Sequence, residues 1–593
     1  MRRTTFMLSI GCIFYFRIFA SVSSEYEKAT AVLAERGEVY LAFYPQSAAD
    51  LKPYISDISI DRIGNGYKVY AYANTQAFKK VAQAGVPYEV LTSPCFTAKA
   101  AMSDYSEFLN TPASGASETG SHSNISWYAY PTYDAFVRIM TRFQTDYPLL
   151  ANLMELGPTV QGRKVYLLKV SANVALSSGK PRFLHIAMVH GDELLNYMNT
   201  LHMIDTLLSG YGSVPRFKTL LDNIEIWFVP LYNPDGCYRG GDSTVQYAQR
   251  FNANNVDINR NFPCPCGRTA DNHAVTGEYS IREPETTALL NLWNRYGFHL
   301  ATDAHSGSET MLWPYASMSR RPCDEEWYTW VCRRFVDQVH GIDSTYFTQC
   351  GGDGMGNLYS ELYECHGTSV DYSIFHLRGR MIPMETALKK MMTETDLEKY
   401  WEYNREALLR FYEVLFTGIQ GTVKNAATGE PIIAAKIQEN THDFDSAWTY
   451  TDSAGFYVRF IQTGTWNLTF SKPGFISKTV AISVTDYAQK YPLNMELEPI
   501  LPAARASIPL TLRFKALPTW SGILFVNSDP ARTADVAVHA MNGSLVTKIV
   551  LKAGAKAAWP GSHGAAMTAG SGCYIAKVTG ASGSCTARIM LNR

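Results

Sequence analysis

At 593 residues and 66.2 kDa the chain is too long for a single core, and three to five domains are expected. With 46% hydrophobic and 18% charged residues, most of it is able to bury a core. A formal net charge of −1 and no polybasic run give nucleic acid nothing to hold, which leaves an enzyme or an extracellular binding protein.

The first segment, 1–23, reads as a secretory signal. Arg2 and Arg3 precede a mostly apolar run over 6–20, and small residues follow at Ser21 to Ser24. Arg17 interrupts the run, so no integral membrane segment is expected once the signal is removed. Setting Cys12 aside, ten of the eleven cysteines remain, an even number suited to an oxidising compartment. Cys264 and Cys266 are too close to pair usefully and reach separate partners, whereas Cys573 and Cys585 flank a hairpin and are candidates to pair across it.

Residues 24–102 alternate in a βαββαβ order. Strands are expected at 39–44, 55–63, 67–73 and 87–91, helices at 47–54 and 75–84, and a hairpin turn at Asn65-Gly66. Residues 103–125, rich in Ser, Gly, Thr and Ala, have no apolar period and read as a linker. From Tyr130 helices and strands alternate: helix 133–147, strand 164–170, strand 183–189, helix 195–208, strand 224–229 and a turn at Asn233 to Gly236. Further helices follow at 291–296, 324–339 and 394–415, an alternation that argues for an α/β domain over 126–415 with a largely buried mixed sheet. Short strands at 418–423, 432–437, 448–450, 456–460 and 466–470 read as a β-sandwich over 416–498. Strand patterns at 534–538, 546–551, 571–578 and 587–591 place a second β-sandwich at 505–593.

Polar residues stand at the ends of the apolar strands. His190 and Glu193 follow 182–189, His305 ends 298–304, and Glu385 follows Met381-Ile382-Pro383-Met384. Between them lies Asp257-Ile258-Asn259-Arg260-Asn261-Phe262. Two histidines and a carboxylate, with a fourth position left for water, are the ligand set of a catalytic zinc. Loops at the carboxyl ends of sheet strands are where open α/β sheets place ligands.

The order H-x-x-E, D-x-N-R-N-F, a later histidine and a late glutamate resembles the zinc metallocarboxypeptidases of the funnelin type over about residues 126–415. The resemblance implies one zinc on His190, Glu193 and His305, with Asp257 accepting a hydrogen bond from a ligand histidine and fixing its tautomer. It gives Glu385 the general-base role and Arg250 the scissile carbonyl, while Asn259 and Arg260 hold the substrate's terminal carboxylate. Tyr363 matches the mobile tyrosine that caps substrate, and Val370 the base of the side-chain pocket. Ala316 stands where one basic-preferring subfamily carries aspartate, so with Leu312 and Leu358 nearby the pocket is expected to be apolar. Asp303, on the same strand face as His305, conflicts with that unless it pairs elsewhere. Pro383 implies an edge strand or an irregularity beside Glu385.

The fold expected is therefore multidomain: an α/β carboxypeptidase domain with a mixed central sheet, preceded by a small α+β pro-domain-like unit and followed by β-sandwich domains. Residues 416–498 resemble the transthyretin-like module of one carboxypeptidase subfamily, and 505–593 resemble the C-terminal sorting domain of type IX secretion. Together they imply an enzyme exported through the periplasm, secreted or held at the cell surface, which engages secretion machinery through its C-terminal domain. Its substrates would be peptides or proteins with a free C-terminus. The alternatives are a surface binding protein on an inactive carboxypeptidase scaffold and a peptidase of cell-wall peptides.

Overall fold

The computed structural model describes residues 24–45, 58–63, 68–106, 127–175, 179–263, 282–348, 364–500, 514–519, 522–527, 533–540, 545–559, 572–580 and 583–591. The chain divides into two bodies, Met1–Pro499 and Ile500–Arg593.

The first body begins with helix α1 (24–36), β1 (Glu38–Phe43), β2 (Ser59–Ile63), β3 (Val69–Asn74), α2 (Thr75–Ala84) and β4 (Tyr88–Leu91). The strands form an antiparallel sheet in the order β2-β3-β1-β4. Every residue of β1 is buried because both faces are covered. Val39, Leu41 and Phe43 pack with Phe78 and Val81 of α2, while Tyr40 turns the other way and meets Tyr72 and Phe251. Asn74 ends β3 and starts α2, its side chain accepting hydrogen bonds from the amides of Gln76 and Ala77. Helix α1 was not expected; the expected helix 47–54 and turn Asn65-Gly66 lie outside the described residues.

Next, β5 (Met102–Ser103) pairs in parallel with β6 (Tyr130–Pro131). The α/β domain follows with α3 (Tyr133–Asp146), β7 (Ala151–Pro158), β8 (Lys164–Val170), β9 (Arg182–Ala187), α4 (Leu195–Gly210), α5 (Pro215–Asn223) and β10 (Glu225–Val229). It continues through α6 (Pro284–Tyr296), β11 (Leu300–His305), β12 (Ser308–Met311), α7 (Glu325–His340), α8 (Ser369–Leu377), β13 (Arg380–Met381), β14 (Met384–Ala387) and α9 (Glu394–Tyr412). The sheet order is β12-β14-β11-β9-β10-β8-β7. Strands β9, β10, β11 and β14 are parallel and β7, β8 and β12 antiparallel, the mixed sheet expected. β9 and β11 are buried at every position, so their sequences show no strict alternation of apolar and polar residues. Threonine caps set the helix starts: Thr132 for α3, Thr368 for α8 and, with Asp396 in a capping box, Thr393 for α9. Pro383 lacks the amide needed to continue the ladder and splits β13 from β14, yet β14 lies between β11 and β12. The irregularity is present, and it is internal to the sheet.

The module after α9 has strands β15 (Gly418–Asn425), β16 (Lys436–Glu439), β17 (Thr449–Tyr450), β18 (Phe456–Arg459), β19 (Gly464–Ser471), β20 (Lys478–Val484), β21 (Lys490–Pro492) and β22 (Met495–Leu497). One sheet gathers β18, β15, β21 and β22 and the other β17, β16, β19 and β20, enclosing Ile419, Ile437, Tyr457, Leu468 and Phe470.

The second body has strands β23 (Phe514–Thr519), β24 (Gly522–Asn527), β25 (Ala534–Ala540), β26 (Leu545–Leu551), β27 (Lys556–Trp559), β28 (Gly572–Gly580) and β29 (Gly583–Leu591) in sheets β23-β24-β27 and β26-β25-β28-β29. Phe525, Val536, Val538, Leu551, Ala576 and Val578 form its core. The register corrects one expectation. Cys573 lies opposite Met590 and Cys585 opposite Val578, which sets the two cysteines about 17 Å apart along the hairpin at ~3.4 Å per residue. A disulfide needs Cα atoms within about 7 Å, so these two do not pair across it.

Candidate metal centre and active site

The loop leaving β9 is tightly packed before it reaches its functional residues. Met188 adopts a left-handed backbone at φ 62°. At Gly191 an added Cβ would stand 2.5 Å from the carbonyl carbon of Gly236, so the position directly after His190 tolerates no side chain. Glu193 then leads into α4, which is buried on nearly every side. Asn196, on its first turn, donates to the backbone oxygen of His305 and to Thr386 Oγ1, both at 2.8 Å, and so ties three elements together.

His190, Glu193 and His305 converge, each almost wholly buried. Glu193 Oε1 is 3.0 Å from His190 Nδ1 and Oε2 is 2.8 Å from His305 Nδ1, while the two Nδ1 atoms face each other at 3.1 Å. The outward nitrogens are both held by carboxylates: His190 Nε2 lies 3.2 Å from Asp257 Oδ1 and His305 Nε2 lies 3.3 Å from Asp303 Oδ2. With Nε2–H donating outward on each ring, two lone pairs and a carboxylate point at one another, close to the ~3.3 Å edge of a tetrahedron with 2.0–2.2 Å metal bonds. Such a convergence fits a divalent cation. Burial opposes protonation of His305, but Asp303 and Glu193 hold it well above its ordinary range, so a cation bound here takes the place of a proton. Burial likewise opposes ionisation of Glu193 and Asp257, yet His190 and the nearby cations keep both well below theirs.

Asp303 is therefore no free pocket charge. Its Oδ2 also accepts from Ser369 Oγ at 2.9 Å, and Ser369 N donates to Asn259 Oδ1 at 3.1 Å. Asn259 Nδ2 approaches His305 Nε2 at 3.3 Å, and Arg260 Nη1 donates to the backbone oxygen of Asn259 at 2.9 Å. Glu385 lies opposite His305 in the β11–β14 register. Burial pushes its carboxyl up to about 8, against the pull of His305 and with Glu193 adding to the rise. Val370 packs with Ile258 and Phe262, while Ala316 packs with Leu312 and Cys365. The two patches are joined through Asp371, whose carboxylate accepts from the amides of Ala316 and Ser317, each at 2.9 Å. Tyr363 and Leu358 lie outside the described residues.

Arg250 points into the centre, its Nη1 3.1 Å from Glu193 Oε1. Lys390, which motif reading missed, reaches the same oxygen at 2.7 Å. Its only signal in the sequence is a lysine shortly after the late glutamate. The N-terminal unit supplies the rest of the shell, and no local pattern announces it. Ser59 Oγ accepts from Arg250 Nε at 2.6 Å and donates to Asp257 Oδ2. Asp61 pairs with Lys390 at 2.7 Å and is steadied by Tyr40 at 3.0 Å. Glu38 accepts from the backbone amides of Arg250 at 3.3 Å and Phe251 at 3.1 Å. Gly37 permits this approach, because an added Cβ would meet the Asn255 side chain at 2.1 Å and its φ is 79°.

The zinc carboxypeptidase family Peptidase_M14 matches residues 136–407, and the carboxypeptidase regulatory-like domain matches 418–498. Residues 136–407 are a zinc carboxypeptidase domain. Carboxypeptidase D of Mus musculus is 29% identical over 379 residues, covering 60% of this chain and 26% of that relative. The carboxypeptidase N catalytic chain of Mus musculus is 27% identical over 393 residues, covering 60% of this chain and 83% of that relative. The chain thus spans about a quarter of the length of the carboxypeptidase D relatives it matches. Among solved structures, the carboxypeptidase A of Helicoverpa armigera aligns at 17% identity with a TM-score of 0.47, covering 64% of this chain and 97% of that one. The carboxypeptidase domain belongs to a zinc-dependent family and offers a His-Glu-His group able to hold that ion. No described helix is long and apolar enough to cross a membrane.

Proposed function

We propose that the protein is a secreted zinc carboxypeptidase that removes C-terminal residues from peptides or proteins, held latent in this form by its N-terminal unit. The observation that carries the reading is the convergence of His190, Glu193 and His305 with Nε2 of both rings held by a carboxylate. This complete donor set supports an enzyme over an inactive scaffold. His190, Glu193 and His305 would hold the zinc, which would supply Lewis-acid polarisation for a water molecule and the scissile carbonyl. Glu385 takes the water's proton and passes it to the leaving amine, Arg250 stabilises the developing oxyanion, and Asn259 and Arg260 receive the substrate carboxylate. Tyr363 would close over the bound residue. Ser59 and Asp61 now engage Arg250 and Lys390, the cations a substrate would meet.

An apolar C-terminal residue is the preferred substrate. Val370, Ala316 and Leu312 offer no anion, and Asp303 is engaged with His305 and Ser369. Burying an unpaired ammonium costs several kcal/mol, whereas an apolar side chain gains about 1.5–3 kcal/mol. Export through the periplasm, with 505–593 presented to secretion machinery, belongs to the same reading. The test compares kcat/KM for matched blocked peptides ending in Phe, Leu, Lys and Arg, using protein freed of residues 24–102, with and without a chelator. Chelator-sensitive cleavage favouring Phe and Leu is expected. A clear preference for Lys or Arg rejects the apolar pocket, and cleavage indifferent to chelator rejects the zinc reading.

A further inference from the structure

Where α7 begins beside the β-sandwich module, Cys323, Asp324 and His442 bring a thiol, a carboxylate oxygen and a ring nitrogen within 4.8 Å of one another. Asp324 is 1% exposed and the His442 side chain 7%. The hydrogen bonds around them are lopsided. Asp324 Oδ2 accepts from Arg380 Nη2 at 2.6 Å and from Arg459 Nη1 at 2.8 Å, while Oδ1 has no donor. His442 Nδ1 faces Asp443 Oδ1 at 3.3 Å, and a neutral ring that donates there presents the Nε2 lone pair on its other side. That Nε2 has no hydrogen-bond partner and looks at Asp324 Oδ1 from 3.6 Å. Two acceptors buried face to face cost free energy unless something positive lies between them.

We propose that Cys323, Asp324 and His442 form a second transition-metal site, best suited to zinc, that joins the carboxypeptidase domain to the sandwich module. A thiolate, an imidazole and a carboxylate together select zinc or cobalt over calcium or magnesium. The Asp443 carboxylate on Nδ1 is the partner that a metal-ligating imidazole ordinarily has. Trp466 fixes the ring edge-on, with centroids 4.5 Å apart. The two nearby arginines do not exclude a cation, because Asp324 and Asp443 balance them one for one. On binding, the Cys323 proton leaves to solvent and the fourth position takes water. Sequence spacing hid the site, since Cys323 and His442 come from separate domains.

The catalytic ligands include no sulfur, which makes the test selective. Full-length protein is stripped of metal, reconstituted with Co(II) and followed in the near ultraviolet for sulfur-to-cobalt charge transfer, while bound metal and free thiols are counted. Two metals per chain and a charge-transfer band are expected. His190→Ala keeps the band and loses one metal; Cys323→Ser and His442→Ala each lose the band and one metal, and Cys323→Ser retains peptidase activity. A single metal in the wild type, a band that survives Cys323→Ser, or Cys323 found oxidised would overturn the site. Loss of the band with unchanged catalytic metal separates this outcome from failure of the carboxypeptidase reading.

Discussion

Glutamine at position 385 preserves the shape of glutamate and removes its proton acceptor. Glu385→Gln is expected to keep zinc and fold while kcat falls about 10²–10⁴-fold, the usual loss for a positioned acid–base group; turnover near wild type would reject the assignment. Asp303→Asn tests a different property. The amide can no longer hold the His305 Nε2 proton as a carboxylate does, so zinc affinity, measured by chelator competition, should fall about 10–100-fold. The preference among Phe, Leu, Lys and Arg peptides should stay as it was, and a change there would return Asp303 to the pocket. His190, Glu193 and His305 were legible in the sequence because they follow or end apolar strands, and Asp257 because it opens the motif Asp-x-Asn-Arg-Asn-Phe. The partner of Asp303 was not, since Ser369 starts a helix 66 residues away. Lys390, Ser59 and Asp61 carry no motif at all, and only the docked arrangement gives them meaning.

At the scale of elements, β2 and the start of β1 carry the contacts with Arg250 and Lys390 on which the proposed latency rests. Cutting within residues 103–125 and separating the N-terminal unit should raise kcat/KM on small peptides. Asp61→Asn should do part of this without a cut. A charge-assisted contact of about 1.5–3 kcal/mol corresponds to roughly a tenfold rise or more in the open fraction. Unchanged activity after physical removal of 24–102 would show that the unit does not occlude the site. Elements with strong local signals matched their expectations: α2 has its asparagine cap and glycine stop, and β8 its apolar run. β20 escaped notice because Lys478, Thr479, Ala481 and Ser483 dilute an alternation whose inward side is only Val480, Ile482 and Val484. The break at Pro383 was legible as an irregularity, but not as an internal one, because strand order is a tertiary property.

Across the whole molecule, one buried and two part-buried histidines share one consequence. Burial pushes His185, His202 and His299 down to about 3, with Arg405 adding to the effect at His202 and Arg182 at His299. Each is neutral when folded and takes up a proton on unfolding below its ordinary value of 6.5. Their contribution is complete above that pH and drains away as pH falls from 6.5 towards 3, by up to about 1.4 kcal/mol per pH unit for each group. Denaturant midpoints should therefore drop steeply over that range, and His185→Gln should flatten the slope; a slope unchanged in that variant would reject the assignment. The pairing of β5 with β6 carries a last consequence. Tyr130 N donates to Ala101 O at 2.8 Å and Thr132 N to Ser103 O at 3.2 Å, so the backbone is pinned on both sides of the 107–126 stretch. Cleavage there would leave the N-terminal unit seated, now as a separate molecule obeying mass action. Nicked enzyme would then stay silent when concentrated and wake on dilution, so that the place where it is released, as much as the protease that cuts it, would set when it works.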